Sequence, residues 1–366
     1  MEHPENDDLY KGLKVNKGVA DVPTVNPYLK KRIQRKEYTP AEFVEGILKG
    51  NITILSQAVT LVESSKYEHQ QVAQEIIEKC LPHAGKSVRI GITGVPGAGK
   101  STSIDAFGMH LIGEGRKLAV LAIDPSSERS KVSILGDKTR MEALSREKNA
   151  FIRPSPSAGS LGGVARKTRE TIVLCEAAGF DTVFVETVGV GQSETAVHSM
   201  VDFFLLIQLA GTGDELQGIK RGIMEMADGI IINKADGDNL EKAKLAAAQF
   251  RNALHLFPAP ESGWFPKVLT YSGYYNLGIK EIWDMVGEYM EFTQKNGYFN
   301  YKRNEQAKYW MYESINDTLR ETFYHNPAVE SMLNLTEQQV LNNEISSFVA
   351  AKRMMDLFLE NLSASK

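Results

Sequence analysis

The chain has little cysteine, no long apolar run and no strong excess of either charge. Its only cysteines, Cys80 and Cys175, lie far apart and outside any Cys-X-X-Cys spacing. This argues against a disulfide framework or a cysteine-based metal site, and we expect two buried thiols in a reducing compartment. A net charge of −4 argues against nucleic acid or an anionic membrane as the main partner. No apolar stretch reaches the length that spans a bilayer.

The first ten residues also lack the charge of a targeting leader. Glu2, Glu5, Asp7 and Asp8 make this stretch acidic, whereas secretory and mitochondrial leaders are basic. We therefore expect a cytoplasmic location. With 42% hydrophobic and 24% charged residues, the composition is that of a globular protein, and 366 residues exceed the usual size of one hydrophobic core.

Three regions are predicted along the chain. Residues 1–85 contain an irregular, proline-bearing arm and then a helical segment, whose first helix is predicted to begin at Pro40 after an N-cap at Thr39. Residues 86–298 alternate short β-branched runs with helical stretches, which indicates βαβ crossovers and a mostly parallel sheet flanked by helices. Ligands of such α/β folds bind at the carboxyl ends of the strands. The predicted strands are Arg89–Thr93, Leu118–Ile123, Thr182–Glu186, Phe203–Gln208, Gly229–Asn233 and Lys267–Tyr271.

Residues 299–366 are predicted to form a helical hairpin. An apolar stripe of helical spacing runs to a stop at Asn326-Pro327, and a second helix is expected after it. The hairpin either packs on its own domain or serves as a dimerisation arm, and the sequence leaves both interpretations open. The second helix is predicted to carry Leu341, Ile345, Phe348, Met355, Leu359 and Leu362.

A glycine-rich loop, Gly-Val-Pro-Gly-Ala-Gly-Lys-Ser at 94–101, stands between a predicted strand and a predicted helix. Its glycines let successive backbone N–H groups turn toward phosphate oxygens, and the helix N-terminus adds a positive dipole end. Lys100 is placed to reach the β- and γ-phosphates, and the Ser101 hydroxyl is placed to ligate Mg²⁺. The predicted phosphate-binding residues are Gly94, Val95, Pro96, Gly97, Ala98, Gly99, Lys100, Ser101 and Thr102.

The motif Asn-Lys-Ala-Asp at 233–236 follows another predicted strand. A carboxylate only accepts hydrogen bonds, so Asp236 suits the two neighbouring donors of guanine and would repel the ring acceptor that adenine offers there. GTP is therefore predicted in preference to ATP. Ser272 and Gly273, after the next strand, are placed to close over the base edge. The predicted base-binding residues are Asn233, Lys234, Asp236, Ser272 and Gly273.

The γ-phosphate end is assigned to Glu-Thr-Val-Gly at 186–189. Most small GTPases carry Asp at the position of Glu186, where the carboxylate holds Mg²⁺ through water. The longer Glu186 is expected to span the same gap or to position the attacking water, and the Gly189 N–H to touch the γ-phosphate. Gln192 does not follow Gly189 directly, so no water-orienting role is assigned to it.

These motifs together resemble the MeaB/ArgK/MMAA family, which comprises SIMIBI-class P-loop GTPases that assist adenosylcobalamin-dependent methylmalonyl-CoA mutase. The resemblance covers about 86–290, and the flanking helical regions fit that family's N-terminal helices and C-terminal dimerisation arm. The motifs that carry it are the phosphate loop, Ile-Asp-Pro-Ser-Ser at 123–127, Gly-Asp-Lys-Thr-Arg-Met at 136–141, Arg-Pro-Ser-Pro at 153–156, Leu-Gly-Gly-Val-Ala at 161–165, Glu-Thr-Val-Gly-Val-Gly-Gln at 186–192 and Asn-Lys-Ala-Asp.

The resemblance implies further roles. Asp124 and Asp137 match switch I acids associated with Mg²⁺, and Arg140 is a candidate for neutralising charge on the phosphates. The segment 211–220 resembles switch III, and Lys220 within it is a candidate for contacts to the nucleotide or a switch loop. The implied magnesium ligands are thus Ser101, Asp124, Asp137 and Glu186, and the candidate catalytic residues are Lys100, Glu186, Arg140 and Lys220.

The function implied is a homodimeric GTPase that gates cofactor loading and release on the mutase through GTP-dependent switch loops. Because the chain has no Asp-X-His-X-X-Gly motif, cobalamin is expected on the partner. Two alternatives remain. A nickel-inserting GTPase would share the core, but seven scattered histidines and two isolated cysteines do not favour it. An ATP-dependent kinase of amino-acid transport is opposed by the guanine-selecting Asp236.

Overall fold

A computed structural model describes residues 38–123, 141–154, 161–187, 193–211 and 221–364. Within these ranges, seven strands form one parallel sheet. Most strands are continuous buried runs rich in Ile, Val, Leu and Phe, as expected where helices cover both faces of a sheet. The strands are β1 (Val88–Gly94), β2 (Leu118–Ile123), β3 (Ala150–Arg153), β4 (Thr182–Thr187), β5 (Phe203–Leu209), β6 (Gly229–Asn233) and β7 (Lys267–Thr270).

The sheet order β3-β2-β4-β1-β5-β6-β7 places β1 between β4 and β5. Gly91 pairs with Val185 on one side and with Phe204 on the other. Strands β2, β3 and β4 therefore lie on one side of β1, and β5, β6 and β7 lie on the other. Such a reversal of strand order opens a crevice at the carboxyl ends of the strands. The loop that follows β1 lies at this crevice.

Helices before, between and after the strands complete the described fold. The first begins at Pro40, as predicted, and Asn51 caps the second by accepting from the N–H groups of Thr53 and Ile54 at 3.0 and 3.2 Å. The helices are α1 (Pro40–Leu48), α2 (Ile52–Glu63), α3 (Tyr67–Cys80), α4 (Lys100–Gly113), α5 (Leu161–Ala177), α6 (Ser193–His198), α7 (Arg221–Met226), α8 (Leu240–Leu254), α9 (Ile279–Lys295), α10 (Tyr298–Tyr324), α11 (Pro327–Leu341) and α12 (Ser347–Ala364).

The core lies on both faces of the sheet. On one face, Ile104 and Phe107 of α4 and Ile282 of α9 pack against Ile92 and Leu205. On the other face, α6 approaches β1 so closely that a Cβ on Gly91 would lie 2.8 Å from a Val197 methyl carbon. No described helix is long and apolar enough to cross a membrane. Both cysteines are buried and unbridged, as predicted, and burial raises the pKa of Cys80 to about 11.

The predicted α/β class and parallel sheet are confirmed, and each of the six predicted strands is present within a residue or two of its predicted bounds. The sequence prediction missed β3. This strand is only four residues long, follows the polar run 147–149 and pairs with β2 alone at the edge of the sheet. An edge strand this short carries too few alternating positions for a pattern to be recognised.

The predicted C-terminal hairpin is wrong in its second half. The first helix, α10, ends near the predicted stop, but two further helices follow, so Leu341 ends α11 and Phe348 belongs to α12. Between them Asn343 adopts a left-handed conformation with φ 58°, and the Ser346 hydroxyl accepts from the Val349 N–H at 3.3 Å. This turn breaks the apparent helical spacing that the sequence suggested.

A buried ionic network attaches α10 to the amino ends of the strands. The Arg303 guanidinium donates to both carboxylate oxygens of Asp202 at 2.8 and 2.7 Å and to the Ser87 carbonyl at 2.7 Å. Arg89 donates to both oxygens of Glu176 at 2.8 and 2.9 Å. The Asp202 and Glu176 side chains are each 1% exposed, so the arginine partners are needed to offset the cost of burying both carboxylate charges.

Candidate active site

The glycine-rich loop predicted to bind phosphate joins β1 to α4 at the crevice beside β1. Gly99 has φ +84°, and a Cβ there would lie 2.7 Å from Asn233 Nδ2. A Cβ on Gly94 would lie 2.3 Å from the Ile207 carbonyl oxygen of the neighbouring strand. The loop therefore needs glycine at both positions, at one for backbone conformation and at the other for close approach.

Lys100 opens α4 and turns its side chain back over this loop. Its ammonium donates to the Gly94 carbonyl at 2.9 Å, and the Val95 carbonyl oxygen lies 3.5 Å away. Burial lowers the pKa of Lys100, and the charges of Glu186 and Glu194 oppose that shift. The cation is thus held over the loop by neutral carbonyls, which phosphate oxygens can replace.

The side chain of Asn233 connects the glycine-rich loop to Lys234 and Gly273, two of the residues predicted to bind the base. It is 3% exposed, its Nδ2 donates to the Ala98 carbonyl at 2.7 Å, and its Oδ1 accepts from the Gly273 and Lys234 N–H groups at 3.1 and 2.7 Å. One amide therefore connects three segments that are far apart in sequence.

Asp236 is placed at the same edge and partly exposed. Its carboxylate accepts from the Ser272 hydroxyl at 2.5 Å, while the Ala235 N–H donates to the Tyr271 carbonyl at 3.0 Å. Lys234 takes a left-handed conformation with φ 59°, which turns the chain between the strand and this carboxylate. The five predicted base-binding residues are thus brought together by direct hydrogen bonds.

Glu186 lies near the end of β4, beside the start of α4. Its carboxylate is 3.4 Å from the Ser101 hydroxyl, and the side chain is buried. Next to it the Thr187 hydroxyl donates to the Thr93 hydroxyl at 2.8 Å, which links the ends of β4 and β1. A hydroxyl and a carboxylate side by side supply the hard oxygen ligands that suit Mg²⁺.

Glu194 is a further acid at the site that the sequence analysis missed. It lies in the first turn of α6, is 4% exposed, and its charge acts on Lys100 in the same direction as that of Glu186. The signal available in the sequence was its position eight residues after Glu186, in a helix directly after the 186–192 motif. The sequence analysis also missed Thr93, whose hydroxyl accepts the hydrogen bond from Thr187, because this contact depends on the pairing of β4 with β1.

Several predicted site residues lie outside the described part of the chain. Among the residues that the structure does describe, no group of three or more His, Cys, Asp or Glu side chains is placed to hold a metal ion. Of the four predicted magnesium ligands, Ser101 and Glu186 are described and lie together. The predicted residues outside the described ranges are Asp124, Asp137, Arg140, Gly189 and Lys220.

The parallel sheet, the glycine-rich loop after its central strand and the Asn-Lys-Ala-Asp motif beside it are the features of a P-loop GTPase. Comparison with known proteins agrees with this class: residues 55–328 match the family model described as "Methylmalonyl Co-A mutase-associated GTPase MeaB". The chain belongs to this family, and it is a GTPase, so the predicted family and the predicted hydrolysis of GTP are both confirmed.

Relatives match over most of their own length. The chain is 49% identical over 312 residues to a putative GTPase of Caulobacter vibrioides, which covers 85% of this chain and 95% of that protein. It is 44% identical to the GTPase ArgK of Escherichia coli, over 87% of this chain and 97% of the relative. The mouse "Methylmalonic aciduria type A homolog, mitochondrial" is 44% identical, over 86% of this chain and 78% of the mouse protein.

A solved structure described as the LAO/AO transport system kinase superposes with a TM-score of 0.69. It is 38% identical in sequence, and the match covers 88% of this chain and 99% of that one. The shared fold therefore extends over nearly all of that protein.

Proposed function

We propose that this GTPase is a chaperone of an adenosylcobalamin-dependent methylmalonyl-CoA mutase, gating cofactor loading and release. The family model is named for association with that mutase, and the mouse relative is named for methylmalonic aciduria. The observation that carries the nucleotide part of the proposal is the Asn233 amide, since it connects the phosphate loop to the base-reading loop. Binding at one end of the nucleotide is thereby coupled to the other end.

In the proposed complex, residues 94–102 surround the phosphates. The Lys100 ammonium leaves the Gly94 carbonyl, 2.9 Å away in this structure, and moves to the β- and γ-phosphate oxygens. The loop N–H groups and the α4 N-terminus add positive potential there. The protein thus stabilises the negative charge that spreads over the γ-phosphoryl group as water attacks in line.

Magnesium fits the residues beside Lys100. The Ser101 hydroxyl and the Glu186 carboxylate, 3.4 Å apart, would hold it, with Asp124 and Asp137 proposed as further acids from the family resemblance. Bound there, the ion would neutralise charge on the phosphate oxygens. Glu186 is the candidate for positioning the attacking water, and Arg140 and Lys220 are proposed to neutralise charge or contact the nucleotide from their segments.

At the base end, Asp236 is proposed to accept from the ring N–H and the exocyclic amino group of guanine. Its present donor, the Ser272 hydroxyl at 2.5 Å, would then close over the base edge together with Gly273. Because an ionised carboxylate has no hydrogen to donate, adenine lacks a partner at this position. The same contact opposes an ATP-dependent kinase activity for this chain.

The switch segments 124–140, 186–195 and 211–220 are proposed to be ordered by GTP and to relax on hydrolysis, and the mutase would sense that difference. Cobalamin is proposed to bind the mutase and not this chain. In this proposal, GTP hydrolysis determines when the cofactor is transferred to the mutase.

A homodimer through residues 299–366 is part of the proposal. Apolar side chains of α10 and α12 are exposed, and a cavity of about 840 Å³ between α10, α11 and α12 is lined by Phe323, Leu333 and Met354. Exposed apolar surface of this kind is typical of a subunit interface. The exposed side chains include Met311, Ile315, Leu319, Phe348, Met355 and Leu359.

Two substitutions test the nucleotide assignments. Lys100→Ala is expected to abolish tight GTP binding, measured by calorimetry, and unchanged affinity would refute the phosphate-loop assignment. Asp236→Asn is expected to reduce the preference for GTP in competition with ATP and ITP. Unchanged selectivity would contradict the base-reading role, and a wild-type preference for ATP would instead favour the kinase alternative.

The chaperone role is tested by measuring GTP hydrolysis with and without a purified methylmalonyl-CoA mutase. We expect a change in the hydrolysis rate and nucleotide-dependent transfer of adenosylcobalamin. Lys100→Ala serves as the control that cannot respond through nucleotide. An identical rate with and without the mutase, together with unaltered cofactor transfer, would refute the proposal and leave the GTPase activity in place.

A further inference from the structure

Helix α6 extends from the candidate active site toward the amino ends of the strands. Glu194 in its first turn is buried, and its charge opposes the fall in the Lys100 pKa that burial causes. In its last turn Val197 packs against β1, where a Cβ on Gly91 would lie 2.8 Å from a Val197 methyl carbon. Because a helix of six residues has fewer than two turns, whatever holds its last turn also determines where its first turn lies.

Two side chains of α10 hold the backbone at the end of α6. The Trp310 indole N–H donates to the Ser199 carbonyl at 3.0 Å, and the Gln306 side-chain amide donates to the Val201 carbonyl at 2.8 Å. The same amide nitrogen lies 3.5 Å from the His198 carbonyl oxygen. The last carbonyls of a helix have no partner within the helix. Trp310 and Gln306 are each 6% exposed, so these donors take the place of water there.

The two donors are held in turn by α5 and by the buried ionic network. The Arg169 guanidinium of α5 lies 5.7 Å from the centre of the Trp310 ring and donates to the Gln306 carbonyl at 3.3 Å. Three residues before Gln306, the Arg303 guanidinium donates to Asp202, which directly precedes β5. Trp310 and Gln306 therefore have defined positions from which to hold α6.

We propose that Trp310 and Gln306 are positioning residues for GTP hydrolysis. By holding the last turn of α6, they keep the charge of Glu194 in its place near Lys100. The inference rests on the proposed placement of the phosphates at Lys100 and is independent of the mutase role. Water screens charges little in a buried site, so a small displacement of α6 changes the electrostatic stabilisation of the reacting γ-phosphoryl group.

Nucleotide affinity should not depend on these contacts. The glycine-rich loop is held separately, by the pairing of Gly94 with β5 and by the Asn233 amide. Helix α6 instead follows the 186–189 motif, which is assigned to the γ-phosphate, and GDP lacks this phosphate. A change in kcat with unchanged GDP affinity is therefore the result that distinguishes positioning from a general loss of structure.

The test removes the two donors and keeps the bulk of each side chain. Trp310→Phe removes the indole N–H, and Gln306→Met removes the amide. In each variant kcat for GTP hydrolysis should fall about 3- to 10-fold, as for one lost buried hydrogen bond, and the calorimetric GDP affinity should stay within about twofold. Trp264→Phe is the matched control, since its indole N–H donates to the Asp228 carbonyl at 2.9 Å and Trp264 is 8% exposed. It should lower the free energy of unfolding to a similar extent and leave kcat within about twofold.

Glu194→Gln tests whether the donors act through Glu194. It should lower kcat by itself, and adding Trp310→Phe should then lower kcat by less than about twofold more, because the two changes affect one interaction. An unchanged kcat in Glu194→Gln, or in both donor variants, would overturn the proposal. It would also be overturned by additive losses in the double variant, by an equal loss of kcat in Trp264→Phe, or by an equal loss of GDP affinity. Lys100→Ala is measured alongside, because unchanged GDP affinity in that variant would refute the phosphate assignment instead.

Discussion

Replacing Asn233 by alanine should destabilise the fold and weaken nucleotide binding, because its buried amide connects two loops of the site. Asn233 is 3% exposed, and its truncation leaves two buried groups without their partner, namely the Ala98 carbonyl and the Gly273 N–H. An unsatisfied buried polar group costs about 1–3 kcal/mol, so we expect the free energy of unfolding to fall by about 2–4 kcal/mol. GDP affinity should fall as well, because the two loops are no longer held together.

Asn239→Ala, three residues after the Asn-Lys-Ala-Asp motif, is the matched control. Its side-chain amide also donates at 2.7 Å, to the Lys234 carbonyl, but this hydrogen bond is exposed. Water replaces the lost donor there, and the expected change in the free energy of unfolding is below about 0.5 kcal/mol. Both variants are measured by urea denaturation without nucleotide. Equal losses for the two, or no loss for Asn233→Ala, would refute the argument that burial makes this amide essential.

Three further predictions concern the network and the loop. Arg303→Ala removes the ion-pair partner of the buried Asp202 carboxylate and should lower the free energy of unfolding, measured by urea denaturation, by about 3–5 kcal/mol. Lys308→Ala is the control: its ion pair with Glu305 is exposed, and the free energy of unfolding should change by less than about 1 kcal/mol. Burial alone would raise the pKa of Glu176, but Arg89, Ser87 and Gly85 lower it. Its ionised form therefore stabilises the fold above the usual glutamate pKa and loses this effect as pH falls through the lower folded value, so Glu176→Gln should destabilise the protein at neutral pH and flatten the acid dependence of its unfolding free energy. Gly99→Ala, at φ +84°, should weaken GDP binding at least about tenfold by calorimetry, while Gly113→Ala, where a Cβ meets nothing within 4 Å, should not; equal affinities would contradict the strain argument.

The local motifs were recognisable because each is encoded in consecutive residues. A phosphate loop needs glycines, a lysine and a hydroxyl at fixed spacing, and the flanking strand and helix are read from patterns on either side. Asp236 was assigned by the same logic, since the donor pattern of guanine determines the side chain that suits it. The C-terminal region shows the limit of this approach: apolar spacing across 341–348 matched a helix, but the left-handed Asn343 ends it.

The sequence by itself predicted the α/β class, which the structure confirms, and it assigned phosphate binding to the glycine-rich loop and base recognition to Asp236, because these predictions depend on short-range spacing and side-chain chemistry. Tertiary structure alone decided which distant groups meet. Asn233 contacts a carbonyl 135 residues away, and Ser101 lies 3.4 Å from Glu186. Local periodicity does not predict strand order. The placement of β1 between β4 and β5 brings the glycine-rich loop and the end of β4 to one crevice.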